Sequence, residues 1–283
     1  MGGISGKSSS SGDPKGKKSS GKKGKAAVPS SPSNGHIVAS ASEAAGVVVC
    51  FDWDCTITSR HMYKAFAGGQ WSEVHSKPFE EWCKRNQIPN PMSVKLQRSI
   101  IDRMFVTEAR GEEYLRQAFR EYFLGGEARI QMLTQLFQSL LEEKCVLCIL
   151  TRGDASSLRL CFDKAIPEWS TLFSSGWIGD TSGEYFRSDS KGQLSPARDG
   201  LHSGRNEQQK EAILEEHFPF TTNKVILVDD SIIPNSTKTN TIKTRDGRKG
   251  GLIHLLDLPT EKLGINEESS DMLLGLVRQL NGT

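Results

Sequence analysis

The sequence predicts a three-layer α/β fold, a parallel sheet with helices on both faces and a helical subdomain inserted into it. Three observations point there. Residues 46–52, 145–151 and 224–230 (GVVVCFD, CVLCILT and KVILVDD) are short runs apolar on both faces, the pattern of central strands in a parallel sheet. Each run ends in polar residues: Asp52, Thr151, and Asp229 with Asp230. Ligands of open α/β sheets bind beyond the carboxyl ends of the strands. Helical patterns separate the runs, as parallel strands require crossover connections.

The elements follow in order. Residues 1–45 are Gly, Ser, Lys and Pro with almost no large apolar side chain, so they cannot offset their ordering entropy and are predicted to be disordered. They hold seven lysines against Asp13 and Glu43, a balance of +5 in a chain of net +2, which leaves −3 for the rest. Such a tail solubilises, or contacts an anionic surface, an acidic protein or nucleic acid. Its start, MGGISGK, nearly fits an acylation pattern, with Ser5 one place early; acylation of Gly2 would give weak membrane association. There is no apolar run near 18 residues for a membrane span and no apolar stretch for a signal peptide. The expectation is a cytoplasmic protein with its six cysteines reduced.

Residues 46–60 and 125–283 are assigned to the α/β core and 61–124 to the insert, with helical pieces near 77–87, 94–105 and 111–123. Residues 126–144 place Ile130, Leu133, Leu136, Phe137, Leu140 and Leu141 on one helical stripe leading into the second strand. In 168–204, rich in Gly and Ser, a hairpin is predicted around Gly179–Gly183, with the remainder an exposed loop. A helix over 205–217 precedes the third strand. A long, polar, basic segment follows Asp230, then a strand at 251–257 and a helix near 267–280. Cys145 and Cys148 form a CxxC, but in a strand they face opposite sides and read as buried small hydrophobes.

Chemistry concentrates at the strand ends. Asp52 and Asp54 are at i and i+2, on one side of an extended chain. Two like charges there are costly without a cation or a shared proton. With Asp229 and Asp230 they make an oxygen-rich site suited to Mg²⁺. Thr151 and Lys210 add a hydroxyl and a positive charge, a set suited to phosphoryl transfer. Arg60, His61 and Lys64, just past the first motif, suit either an anionic substrate or a solvated turn.

These residues resemble a known family. DWDCT at 52–56 is similar to the DxDx[TV] motif of the haloacid dehalogenase-like superfamily. CILTRG at 148–153 resembles its second motif, Lys210, 19 residues before Asp229, its third, and VILVDDS at 225–231 its acidic fourth. The resemblance implies a Rossmann-like core in which Asp52 is the nucleophile and Asp54 the acid and base. Thr151 would hold the phosphoryl oxygens and Lys210 would balance charge, with Lys191 and Arg205 as other basic residues for that place. It implies Mg²⁺ held by Asp52, the Asp54 carbonyl and Asp230, with Asp229 ligating or orienting. Arg152, Gly153 and Arg60 are candidate substrate contacts. The insert stands where the family places a helical cap of its first type, which implies a small phosphorylated metabolite. The implied activity is Mg²⁺-dependent phosphomonoester hydrolysis; a phosphotransferase or mutase, or a catalytically idle binding protein, are the alternatives.

Overall fold

The structure, a computed structural model, describes residues 46–67, 72–88, 111–181, 183–196, 210–232, 239–259 and 264–282. The tail at 1–45 with Gly2, the helical piece near 94–105, Arg205 and the first residues of the helix predicted over 205–217 lie outside them.

Among the described residues, eight strands form one sheet: β1 (Val47–Phe51), β2 (Val146–Thr151), β3 (Ile178–Asp180), β4 (Tyr185–Ser188), β5 (Leu194–Pro196), β6 (Lys224–Asp229), β7 (Thr241–Asp246) and β8 (Leu252–Asp257). Their order is β5-β4-β3-β2-β1-β6-β8-β7. The five central strands, from β3 to β8, run parallel in a Rossmann-like arrangement, while β4, β5 and β7 add antiparallel edges. The sheet is therefore mixed rather than wholly parallel. β1 lies at its centre, paired with β2 on one side and β6 on the other.

Alternation in β1 builds the layers. Val47, Val49 and Phe51 enter one apolar cluster; Val48 and Cys50 enter the other. The helices are α1 (Met62–Ala67), α2 (Lys77–Arg85), α3 (Gly111–Gln117), α4 (Glu127–Glu142), α5 (Ala155–Lys164), α6 (Lys210–His217) and α7 (Glu267–Asn281). Those of the first face, α4, α5 and α7, bury stripes including Leu133, Phe137, Phe162 and Val277. Ile213 and Leu214 of α6 cover the second face. Cys145 and Cys148 fall in different clusters, on opposite faces, and both are free thiols.

Three elements depart from the sequence reading. The segment ASSLRLCFDK folds as α5, although its polar residues hide a short apolar stripe of Leu158, Cys161 and Phe162. The hairpin around Gly179–Gly183 is present as β3 and β4, but Leu194–Pro196, expected in an exposed loop, adds β5 to it. The polar segment TIKTRD becomes the edge strand β7, almost wholly exposed, so no apolar alternation marks it.

The excursion between Asp54 and α4 leaves and returns at one point. Ser59 donates from both its N–H (2.7 Å) and its hydroxyl (3.0 Å) to the Phe123 carbonyl. Its Phe66, Phe79, Phe119, Tyr122 and Phe123 join the first apolar cluster, where Trp53 stacks on Phe119 at 5.9 Å and Phe66 packs on Phe123 at 5.5 Å. Below this junction the Arg129 guanidinium donates to four carbonyls: Ile57 (2.6 Å), Leu124 (3.0 Å), Ile265 (3.1 Å) and Thr56 (3.2 Å). Burial pushes its pKa down to about 10. At Gly264 the backbone takes φ +83°, and a Cβ would stand 2.6 Å from the Thr56 carbonyl, so only glycine fits. Replacing Arg129 with Met takes a donor from four carbonyls, of which Thr56 keeps the Ile265 N–H, in a place of limited water access. The expected loss is about 3 kcal/mol of stability, read as a lowered urea midpoint at unchanged slope.

Candidate active site

The carboxyl ends of β2, β1 and β6 meet at a cavity of about 470 Å³. Of the residues predicted from sequence, Asp52, Asp54, Thr151, Arg152, Gly153, Lys210 and Asp230 line it. Asp229 lies just beneath, buried. Arg60 does not line it: its guanidinium sits 4.6 Å over the Tyr122 ring, turned toward the helical segment. Lys191 lies in the turn between β4 and β5, where its N–H donates to Asp189, and does not line the cavity either.

Asp52 is set by the sheet. Its N–H extends the ladder by donating 2.8 Å to the Val228 carbonyl. Lys210, the first residue of α6, is buried and its ammonium donates to Asp52 Oδ1 and, at 2.8 Å, to Asp229 Oδ2. Asp229 Oδ1 accepts from both the N–H and the hydroxyl of Ser231, each at 2.8 Å. One lysine thus joins the ends of two adjacent parallel strands.

After Asp52 the backbone leaves the sheet. Asp54 is still extended (φ −67°, ψ 125°), and Cys55 turns into the left-handed region at φ 62°. For a residue other than glycine this conformation costs on the order of 1 kcal/mol. Buried Thr58 holds it: its Oγ1 accepts from the Cys55 N–H at 3.1 Å and lies 3.0 Å from the Trp53 carbonyl. Trp53, fully buried, anchors the opposite side. The carboxyl of Asp54 is met by the first residue of α1 and the one before it: Oδ1 accepts from the Met62 N–H at 2.7 Å, and His61 Nδ1 lies 3.1 Å from Oδ2. That second contact is at ion-pair range without the alignment of a hydrogen bond. Thr151 Oγ1 accepts from the Gly153 N–H at 2.9 Å, which leaves the hydroxyl hydrogen for the cavity.

Electrostatics follow from burial. Desolvation raises the Asp52 carboxyl to about 8, against the pull of Lys210 and with the push of Asp229. Burial opposes ionisation of Asp229 too, but Lys210 and the Ser231 hydrogen bonds outweigh it and hold its pKa down. Asp230 rises to about 6 through desolvation and the Asp229 charge. Lys210 stays charged because its two carboxylates outweigh its own desolvation. Asp52, Asp229 and Asp230 each offer one oxygen, all within 4.8 Å of one another, an all-carboxylate donor set that fits a hard cation such as Mg²⁺. A second acidic group, Asp154, Asp180 and Glu184, is engaged in turns, with Asp180 accepting from the Ala155 and Glu184 N–H groups.

Sequence reasoning did not single out Tyr63, Thr181 or Ser231 as lining residues. Thr181 arrives through β3, whose pairing carries its N–H to the Thr151 carbonyl at 2.9 Å. That adjacency has no local signal; the DDS tripeptide at 229–231 was the only hint of Ser231. His61 and Lys64, read as either substrate contacts or a solvated turn, do line the cavity.

Compared with family models, with curated proteins and with solved structures, the chain shows no match. Replacing Lys210 with Met leaves two carboxylates buried around an apolar chain. Stability should fall by about 3–5 kcal/mol, and a further Asp229→Asn change should recover part of the loss; denaturant unfolding at neutral pH measures both.

Proposed function

We propose that this chain is a Mg²⁺-dependent phosphohydrolase of the haloacid dehalogenase-like superfamily, cleaving a small phosphate monoester through an aspartyl-phosphate on Asp52. One observation carries the reading: Lys210 bonds both Asp52 and Asp229 at the carboxyl ends of adjacent parallel strands, on a cavity that Asp54 and Thr151 also face. Residues of all four sequence motifs gather at one place in space, which supports the reading.

In this reading an oxygen of Asp52 attacks phosphorus, and the bond from phosphorus to the leaving oxygen breaks. Asp54 gives that oxygen its proton, then takes a proton from the water that attacks the aspartyl-phosphate. The Asp52–phosphorus bond breaks, and inorganic phosphate leaves. Thr151 donates to a phosphoryl oxygen, and Lys210 keeps the nucleophile oriented and its charge balanced. Asp52, Asp229 and Asp230 would hold Mg²⁺; what the ion supplies is neutralisation of the phosphoryl charge. The insert at 61–124 would act as the cap, with Tyr63 and Lys64 of α1 lining the cavity. The cavity volume is that of a site for a small metabolite.

Phosphate release from an aryl phosphate in the presence of Mg²⁺ is the direct test. Asp52→Asn should lower it by at least about 10³-fold. No release above that variant across a broad ester panel sinks the hydrolase reading in favour of a binding protein; turnover only with an added acceptor makes the chain a transferase. Cation affinity supplies a second check. Without the ion, Asp52 and Asp230 hold protons up to about 8 and about 6, and binding must displace them. Mg²⁺ should therefore bind more tightly at pH 8 than at pH 6 in titration calorimetry, with protons released on binding.

A further inference from the structure

Asp52 and Asp54 stand two residues apart but are held by different parts of the molecule. Asp52 is fixed by β1, β6 and Lys210, all core elements. Both partners of the Asp54 carboxyl among the described residues come from the next segment: Met62 N–H on Oδ1 and His61 Nδ1 beside Oδ2. The His61 ring is itself set by His75, whose ring meets it edge-on with centroids 5.8 Å apart at 68°. Asp54 and His61 are largely shielded, their side chains 12 % and 22 % exposed.

A carboxyl on a single methylene turns freely unless both oxygens are engaged. Met62 alone restrains one oxygen and leaves the other able to swing out of the cavity. The His61 ring beside Oδ2 narrows that freedom by contact and keeps the carboxyl turned to the cavity it lines. Past Asp52 the backbone has left the sheet and Thr58 holds the turn at Cys55, so the direction of the Asp54 side chain is set by its own contacts.

We propose that His61 is a positioning residue for Asp54, so that the helical segment, not the sheet, aims the proton delivered to the leaving oxygen. This rests on the hydrolase reading above. The consequence is selective. An ester whose leaving oxygen needs a proton depends on His61; one that leaves as a stable anion does not.

The test compares glycerol phosphate, an alkyl ester, with p-nitrophenyl phosphate. His61→Ala should lower kcat/KM for the alkyl ester by about 100-fold or more, the scale of a lost acid, and for the aryl ester by less than about tenfold. The loss should appear in kcat rather than KM. His61→Asn, whose amide can reach the same oxygen, should restore part of it. In an Asp54→Asn background His61→Ala should add nothing. Equal losses on the two esters, no loss on either, or full additivity with Asp54→Asn overturns the inference while Asp52-dependent hydrolysis stands. A wild-type protein that hydrolyses neither ester in an Asp52-dependent way overturns the functional reading, and the inference with it.

Discussion

The buried ammonium of Lys210 between two carboxylates is the constraint from which the site follows. Three ionisable groups removed from water are costly, and their mutual attraction offsets that cost only with good geometry. Here the geometry comes from parallel strands. β1 and β6 pair in register, Phe51 against Val228, so the next residues, Asp52 and Asp229, emerge side by side. α6 crosses on the face covered by the second apolar cluster and begins at Lys210. A single charge then answers two, and the imbalance remains as a raised carboxyl at Asp52. Once Asp52 and Asp230 ionise, three carboxylates face one ammonium, an excess of negative charge that suits a divalent cation.

Outside that triad the support changes character. Asp54 sits on a turn held by Thr58, by the four-carbonyl clasp of Arg129, and by contacts from α1. Arg129 is a charge used as a neutral device: among the described residues its hydrogen bonds go to carbonyls, and its work is to pin three separate segments to α4. The division puts rigidity under the group proposed as nucleophile and adjustability under the group proposed as acid.

Much of this was legible in the sequence, and the parts that were not share a cause. The central strands announce themselves because burial on both faces demands continuous apolar runs. The stripe of α4 is visible for the same reason, and the site residues are visible because polar groups interrupt those runs at one end. β7 carries no such signal, since an edge strand is selected by its partner β8 and its side chains remain in water. α5 is short, with few apolar positions to betray its period. Thr181 and Tyr63 reach the cavity only through tertiary pairing, and Arg60 leaves it because an aromatic face offers its charge a better place. Local pattern reports burial; it does not report which distant surface a polar side chain will meet.

The two hydrogen bonds from Ser59 to the Phe123 carbonyl close a loop whose ends lie 64 residues apart. Once its ends are clasped, the length between them is nearly a free parameter: each doubling adds only about 0.6 kcal/mol of closure entropy. Length is thus cheap at that gate, and composition is not: the residues nearest the clasp, Phe119 and Phe123, are part of the core under the sheet, so a change in the excursion is tolerated by the fold only beyond them.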